Sequence, residues 1–275
     1  MLRKFLTYEL KTSSRQFLPM YAFYVLFSIV NMFFFEKGFL SLIRNDAMPD
    51  TFSLVSVIIS SLYLFCMVAV YVLTYVFITI HFYKTMAGKQ GYFTFSLPIK
   101  PSVILGCKML IAVFWQLVTC GLILLSIYVL CSVHGIENWI HILFKAFHTI
   151  YDHGGYYQTF QILFTISLIL TLFLSPLQIF TSIAIGQLFS KNRIAWSVCF
   201  YFVIYTIMQV LGTILLIVTN FAGFVSQFSQ NLISAEQYTQ YMIRNMQGSI
   251  LLSILSGIIM YVVFQYIYTK KLNLV

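Results

Sequence analysis

Four histidines in one short stretch are the residues with the most obvious potential for chemistry. Imidazole nitrogens bind zinc and titrate near neutral pH. Three of the four, His134, His141 and His148, are spaced seven residues apart, and His153 follows. On a straight helix, seven residues make two turns, or about 10 Å, which is too far for two of these side chains to share one zinc ion. The spacing therefore favours polar residues scattered along an interfacial helix over a metal or pH-sensing site.

The chain contains none of the common motifs that would supply its own energy or catalysis. It has no Gly-x-x-x-x-Gly-Lys-Ser/Thr sequence for ATP and no His-Glu-x-x-His sequence for zinc. Intramembrane proteases and ion-coupled transporters need ionisable groups inside their spans. The long apolar runs of this chain contain no aspartate pair and no serine–histidine pair. We therefore predict that the chain is not an enzyme, binds no metal or cofactor, and depends on another chain for energy.

The composition predicts an all-α membrane protein. Hydrophobic residues make up 60% of the 275 residues, charged residues only 8%, and the mean hydropathy is +0.90. A soluble domain has roughly a quarter of its residues charged. The apolar runs are long and continuous, as in membrane-spanning helices, rather than short and alternating, as in a barrel. The five cysteines lie in or beside these runs and are interpreted as small buried hydrophobic residues.

One surface helix and six spans are predicted along the chain. Residues 1–16 combine an apolar stripe with interleaved basic residues, which indicates an amphipathic elbow helix on the cytoplasmic face of the membrane. Residues 17–275 form the transmembrane domain, with spans near residues 17–35, 53–80, 102–131, 161–188, 194–220 and 247–268. The one charged residue within these intervals is Lys108, whose ammonium group is expected to extend to the interface.

The distribution of charge between the loops orients the protein. With the N-terminus in the cytoplasm, only Lys37, Arg44, Lys145 and Arg244 of the 16 basic residues fall outside, which leaves twelve inside. Of the seven acids, only Glu9 falls inside. Because basic residues concentrate on the cytoplasmic side, we predict a multi-pass protein of the plasma membrane with both termini cytoplasmic. This rule explains the net charge of +9 without a nucleic-acid partner.

Two features within the spans concern helix shape and packing. Pro176 lies near the middle of the fourth span, where a proline removes a backbone hydrogen bond and kinks the helix. Ser249, Ser253 and Gly257 follow at four-residue spacing on the sixth span. Such a stripe of small residues lets helices approach closely. It is interpreted as internal packing, with contact to a second subunit as the alternative.

Residues 83–101 form a polar and aromatic break between two apolar runs, and we call them the coupling segment. The segment carries three lysines and no acid, and glycines flank the pair Lys89 and Gln90. An aromatic run then leads to Pro98 and Pro101. An ordinary basic loop would explain the lysines, but the aromatic residues favour a contact with a soluble partner.

A family resemblance centres on this segment. It involves His81-Phe82-Tyr83-Lys84, then Gly88, then Gly91-Tyr92-Phe93-Thr94-Phe95-Ser96-Leu97-Pro98, and then Lys108. These residues resemble the link between the second and third spans in type-2 permease subunits of ATP-binding-cassette (ABC) exporters from Gram-positive bacteria. The predicted elbow helix, six spans and cytoplasmic termini are similar to that family as well.

The resemblance implies a docking role for this segment. In the family, the link forms a coupling helix that docks on a cytoplasmic ATPase subunit. The positions that correspond to it are Tyr83, Lys84, Gly88, Lys89, Gln90, Gly91, Tyr92 and Phe93. Where this chain has Lys89 and Gln90, relatives often carry acids, which implies a dedicated ATPase or a partner permease with the acidic version.

The function implied is that of the permease subunit of an ABC exporter. The partner ATPase subunit would bind ATP and magnesium, and the permease would pair with a second copy or with a paralogous permease. The charge-free spans suit an amphipathic cargo, such as a lantibiotic-like antimicrobial peptide, a drug or a lipid-like molecule. The alternative is a non-transporting membrane scaffold or sensor subunit that docks a soluble partner through residues 83–98. A membrane-embedded enzyme is disfavoured because the spans lack ionisable groups.

Overall fold

Six long helices make up most of the chain that the structure describes. The structure, a computed structural model, describes residues 2–35, 51–88, 91, 101–133, 145, 155–189, 191–228 and 235–270. The helices are α1 (Leu2–Phe34), α2 (Thr51–Phe82), α3 (Pro101–Val133), α4 (Gly155–Gly186), α5 (Arg193–Phe228) and α6 (Ala235–Lys270). A π-helical turn, Tyr83–Ala87, continues α2. Each of the six helices is long and apolar enough to cross a membrane, which confirms the prediction of six helical spans.

Helices α5 and α6 extend beyond the apolar intervals predicted from the sequence. Helix α6 begins at Ala235 rather than near residue 247, and α5 continues to Phe228 rather than ending near residue 220. The first turns of α6 contain Glu236 and Arg244. Such residues lower the hydropathy but favour helix formation. Hydropathy therefore locates the apolar middle of each helix better than its ends.

The predicted elbow and the predicted first span belong to one helix. Helix α1 continues through residues 16 and 17 without a break, and its part that is apolar enough to span begins at Leu6. Pro19 lies inside α1 and cannot donate the helical hydrogen bond to the carbonyl of Arg15. Pro176 lies inside α4, as the sequence predicted, and is likewise unable to donate to its preceding turn. The interfacial position of residues 2–16 and a kink at Pro176 both stay predictions.

The chain divides into two compact units. The first consists of Met1–His81 and Leu110–Phe144, and the second of Phe82–Met109 and Lys145–Val275. The π-helical turn and the beginning of α3 therefore belong to the same unit as α4, α5 and α6. Most of α2 and α3 belongs with α1 in the first unit.

Aromatic rings and hydroxyl groups fill the interior of the first unit. Phe17 of α1 stacks on Trp115 of α3 with 4.4 Å between the ring centroids. The Thr119 hydroxyl of α3 lies 2.8 Å from that of Tyr21 and 2.9 Å from that of Thr74. A second set of hydroxyl contacts joins α1, α2 and α3 through Tyr24, Tyr63 and Ser126. Hydrogen bonds of this kind satisfy buried polar groups and hold membrane helices together.

Candidate functional site

The described beginning of the coupling segment is a π-helical turn. Tyr83–Ala87 continues α2 directly, and the amide of Gly88 donates a 2.9 Å hydrogen bond to the carbonyl of Tyr83. This spacing of five residues is that of a π-helix, and single π turns are frequent at functional sites. The amide of Gly91 then donates to the carbonyl of Gly88 at 2.8 Å. The segment therefore leaves α2 by a wide, hydrogen-bonded turn.

One side of this turn is buried and the other is accessible. Met86 has no exposed surface and Thr85 is 8% exposed, whereas the side chain of Lys84 is exposed. Tyr83 is half-buried. Of the predicted docking residues, Lys84 is thus an accessible cation, and Tyr83 offers part of an aromatic ring.

Lys108 of α3 holds the buried side of the turn. Its ammonium group donates a 2.7 Å hydrogen bond to the Thr85 hydroxyl, and the residue is only 3% exposed. The structure therefore shows this ammonium group bonded within the protein, and its position relative to the membrane interface stays a prediction. A buried ammonium group is costly unless its protons are bonded, so a partner inside the protein replaces the water of the interface.

Aromatic stacking holds in place the residue that directly precedes the turn. The ring of Phe82, the last residue of α2, stacks on Phe180 of α4 with 3.8 Å between centroids and an interplanar angle of 11°. The ring of Phe264 on α6 lies 6.2 Å from Phe82. Phe264 in turn contacts Tyr268 with 4.3 Å between centroids. The entry to the coupling segment is therefore packed against two helices of its own unit.

The glycines of the segment lie where a larger residue would meet backbone. A β-carbon on Gly91 would overlap the carbonyl oxygen of Met86, and one on Gly88 would lie 2.8 Å from the carbonyl oxygen of Lys84. Backbone cannot move away as a side chain can, so both positions favour glycine. The other predicted docking residues, Lys89, Gln90, Tyr92 and Phe93, lie outside the described residues.

A buried ionisable pair, which was not predicted from the sequence, joins α1 and α2. Nε2 of His81 on α2 lies 2.6 Å from Oε2 of Glu9 on α1, and the two residues are 8% and 4% exposed. Both residues lie within the parts of α1 and α2 that are apolar enough to span a membrane. These helices therefore contain ionisable groups that lie outside the narrower spans predicted from the sequence. The sequence does set these two residues apart. Glu9 is the only acid on the predicted cytoplasmic side, and His81 is the only histidine outside residues 134–153.

The stripe of small residues on α6 meets another helix of its unit at Gly257. A β-carbon on Gly257 would lie 2.9 Å from Cδ2 of Leu174 on α4. The hydroxyl of Ser249 donates to the carbonyl of Met246, and the carbonyl of Ser253 accepts from Ser256. These hydroxyl bonds stay within α6 and leave the choice between internal packing and subunit contact to experiment.

The described residues contain no cluster of three histidines, cysteines or acids that could hold a metal ion. His134, His141, His148 and His153 lie outside the described residues. The described part of the coupling segment offers an exposed cation at Lys84 and part of an aromatic ring at Tyr83. Comparison of the chain with protein-family models, curated proteins and solved structures found no match.

Proposed function

We propose that this chain is the permease subunit of an ABC exporter and that the coupling segment docks on a separate ATPase subunit. The ATPase binds ATP and magnesium, and the permease moves an amphipathic cargo, such as an antimicrobial peptide, a drug or a lipid-like molecule. The permease pairs with a second copy or a paralogous permease. It lies in the plasma membrane with both termini cytoplasmic and with residues 1–16 as its interfacial elbow.

The observation that carries the proposal is the attachment of the π-helical turn. Thr85 is hydrogen-bonded to Lys108 of α3, and Phe82 is stacked on Phe180 of α4. A force on the accessible side of this turn, at Lys84, would therefore act on membrane helices rather than bend a loose loop. Burying a lysine is costly because its charge loses water. A buried lysine that holds this turn is therefore expected where the turn has a mechanical role.

A charge reversal on the accessible side tests the docking role. The permease is co-expressed with a candidate ABC ATPase, chosen first from a neighbouring gene, and purified by a tag on the permease. We expect the ATPase to co-purify, and we expect Lys84→Glu to reduce the amount recovered by about fivefold, since an exposed charge in a contact contributes about 1 kcal/mol. The matched control is Lys191→Glu, at another exposed lysine on the predicted cytoplasmic side, which should leave recovery unchanged.

Reconstitution separates this function from the scaffold or sensor alternative. Vesicles that contain the permease and its ATPase should move an amphipathic cargo when ATP is supplied and should stop when ATP is withheld. Binding of the ATPase without movement of any cargo across a panel of peptides, drugs and lipids would favour the alternative. Failure of every ABC ATPase to bind would contradict the proposal itself.

A further inference from the structure

A long apolar groove lies in the second unit among α4, α5 and α6. Its volume is about 630 Å³. On α5 it extends from Ile204 to Leu215, and on α6 from Gly248 to Val263, which correspond to lengths of roughly 16 Å and 22 Å at 1.5 Å per residue. All of these residues lie within the parts of the helices that are apolar enough to span a membrane.

The walls of the groove offer a ligand nothing but hydrocarbon contacts. Of the residues that line it, only Thr181 and Ser256 carry a polar side chain, and none can ionise. The Thr181 hydroxyl donates to the carbonyl of Leu177 at 2.8 Å, and the Ser256 hydroxyl donates to that of Ser253 at 2.9 Å. Because both hydroxyl protons are already used, a polar ligand would lose its own hydrogen bonds on entering. The occupant must therefore be apolar along this whole length.

The groove is long and lined by hydrocarbon, which suits an extended alkyl chain. An empty groove would deprive its walls of dispersion contacts, and in a bilayer the hydrocarbon at hand is the lipid chain.

A positively charged side chain lies beyond one end of the groove. Arg244 is exposed and precedes Gly248 by one turn on the same face of α6. Helical side chains lean toward the N-terminus, so the guanidinium group extends away from the groove, toward the level of a lipid headgroup. A guanidinium group matches the oxygens of a phosphate.

We propose that the groove binds one acyl chain of a membrane phospholipid whose phosphate is held by Arg244. A chain that moves from the bilayer into the groove gains little hydrophobic free energy, because both surroundings are hydrocarbon. Selectivity therefore comes from the fit of the groove and from the charge of Arg244. The site does not depend on the proposed transport function, and it is tested without an ATPase or ATP.

Photolabelling in bilayers locates the chain directly. The protein is reconstituted with phosphatidylglycerol that carries a photoreactive group in its acyl chain, and the labelled residues are identified by mass spectrometry. We expect labelling of Met208 and Leu252 to exceed that of Leu62, which is a lipid-exposed residue of α2 outside the groove. Ser256→Phe fills the groove and should lower labelling of Met208 at least about fivefold. The matched control, Ser61→Phe at an exposed serine of α2, should leave it unchanged.

A second variant tests the headgroup contact without touching the groove. Arg244→Gln should lower labelling of Met208 by about fivefold, the effect of removing one cation near a phosphate. Equal labelling of Met208 and Leu62 in the unaltered protein would overturn the proposal, because it indicates surrounding lipid only. Unchanged labelling in both variants would also overturn it. The third contrary result is that Ser256→Phe removes contacts between two copies and leaves the lipid labelling unchanged.

Discussion

The ammonium group of Lys108 lies 2.7 Å from the hydroxyl of Thr85, although Lys108 is only 3% exposed. This bond joins the beginning of α3 to the π-helical turn that follows α2. It belongs to the second unit, as does the stacking of Phe82 on Phe180. The position of the coupling segment is therefore set on its two sides by a charge-assisted hydrogen bond and by an aromatic stack.

A double-mutant cycle should measure how strongly Lys108 and Thr85 are coupled. Lys108→Met keeps the length of the side chain without its charge, and Thr85→Val keeps the shape without the hydroxyl. Because a hydrogen bond to a charged group contributes about 1.5–3 kcal/mol, we expect an interaction of at least about 1.5 kcal/mol in the free energy of unfolding. The measurement is a titration with sodium dodecyl sulfate of each purified variant.

The cycle is needed because Lys108 has further interactions of its own, which the single variant would also remove. The Lys191→Met variant at an exposed lysine serves as a control and should be neutral. If the effects of the two changes simply add, to within about 0.5 kcal/mol, Lys108 does not hold the turn through Thr85.

The pair of Glu9 and His81 should stabilise the first unit. Their side chains meet at 2.6 Å and are both buried. Glu9→Gln keeps the shape and removes the charge, and we expect the free energy of unfolding to fall by about 2 kcal/mol, since a buried partner loses a charge-assisted hydrogen bond. Lys11→Gln, at an exposed charge on the same helix, should change it by less than about 0.5 kcal/mol. An equal effect of the two changes would show that the pair contributes nothing specific.

The sequence predicted which segments form helices, but it did not predict which side chains on different helices contact each other, and the reason is physical. Hydropathy reports how each segment interacts with lipid, so the six spans follow from the apolar runs alone. It carries no information on which helix faces which, so the burial of Lys108 against Thr85 and the meeting of Glu9 with His81 were not predicted. These contacts join residues 23 and 72 positions apart in the chain. The helix ends also differed, because polar residues such as Glu236 continue a helix that hydropathy ends.

Gly91 should be required for the shape of the coupling segment rather than for insertion into the membrane. A β-carbon at this position would overlap the carbonyl oxygen of Met86, so Gly91→Ala must displace backbone. We expect this variant to reach the membrane in normal amounts and to recover less than about a fifth of the ATPase in co-purification, a loss of about 1 kcal/mol in binding. The matched control is Gly106→Ala on α3, where a β-carbon would meet nothing within 4 Å. Normal ATPase recovery with Gly91→Ala would remove this residue from the docking role.

The stripe of small residues on α6 can be assigned by a rescue experiment. A valine at Gly257 would press on Cδ2 of Leu174, which lies 2.9 Å from the β-carbon position. Crowding of this kind costs typically about 1–3 kcal/mol, so Gly257→Val should lower the free energy of unfolding by that amount. Gly212→Val, at a glycine with open space around it, is the control.

Shortening the residue that is crowded should then restore stability. Leu174→Val removes the methyl group that Gly257→Val displaces, so the double variant should be more stable than Gly257→Val alone if the stripe packs within one chain. Chemical crosslinking in membranes measures pairing of two copies in the same samples. The opposite result is that Leu174→Val gives no rescue and that the crosslinked dimer disappears with Gly257→Val. The stripe then contacts a second subunit, because the added valine disturbs the contact between two copies and not the contact with Leu174.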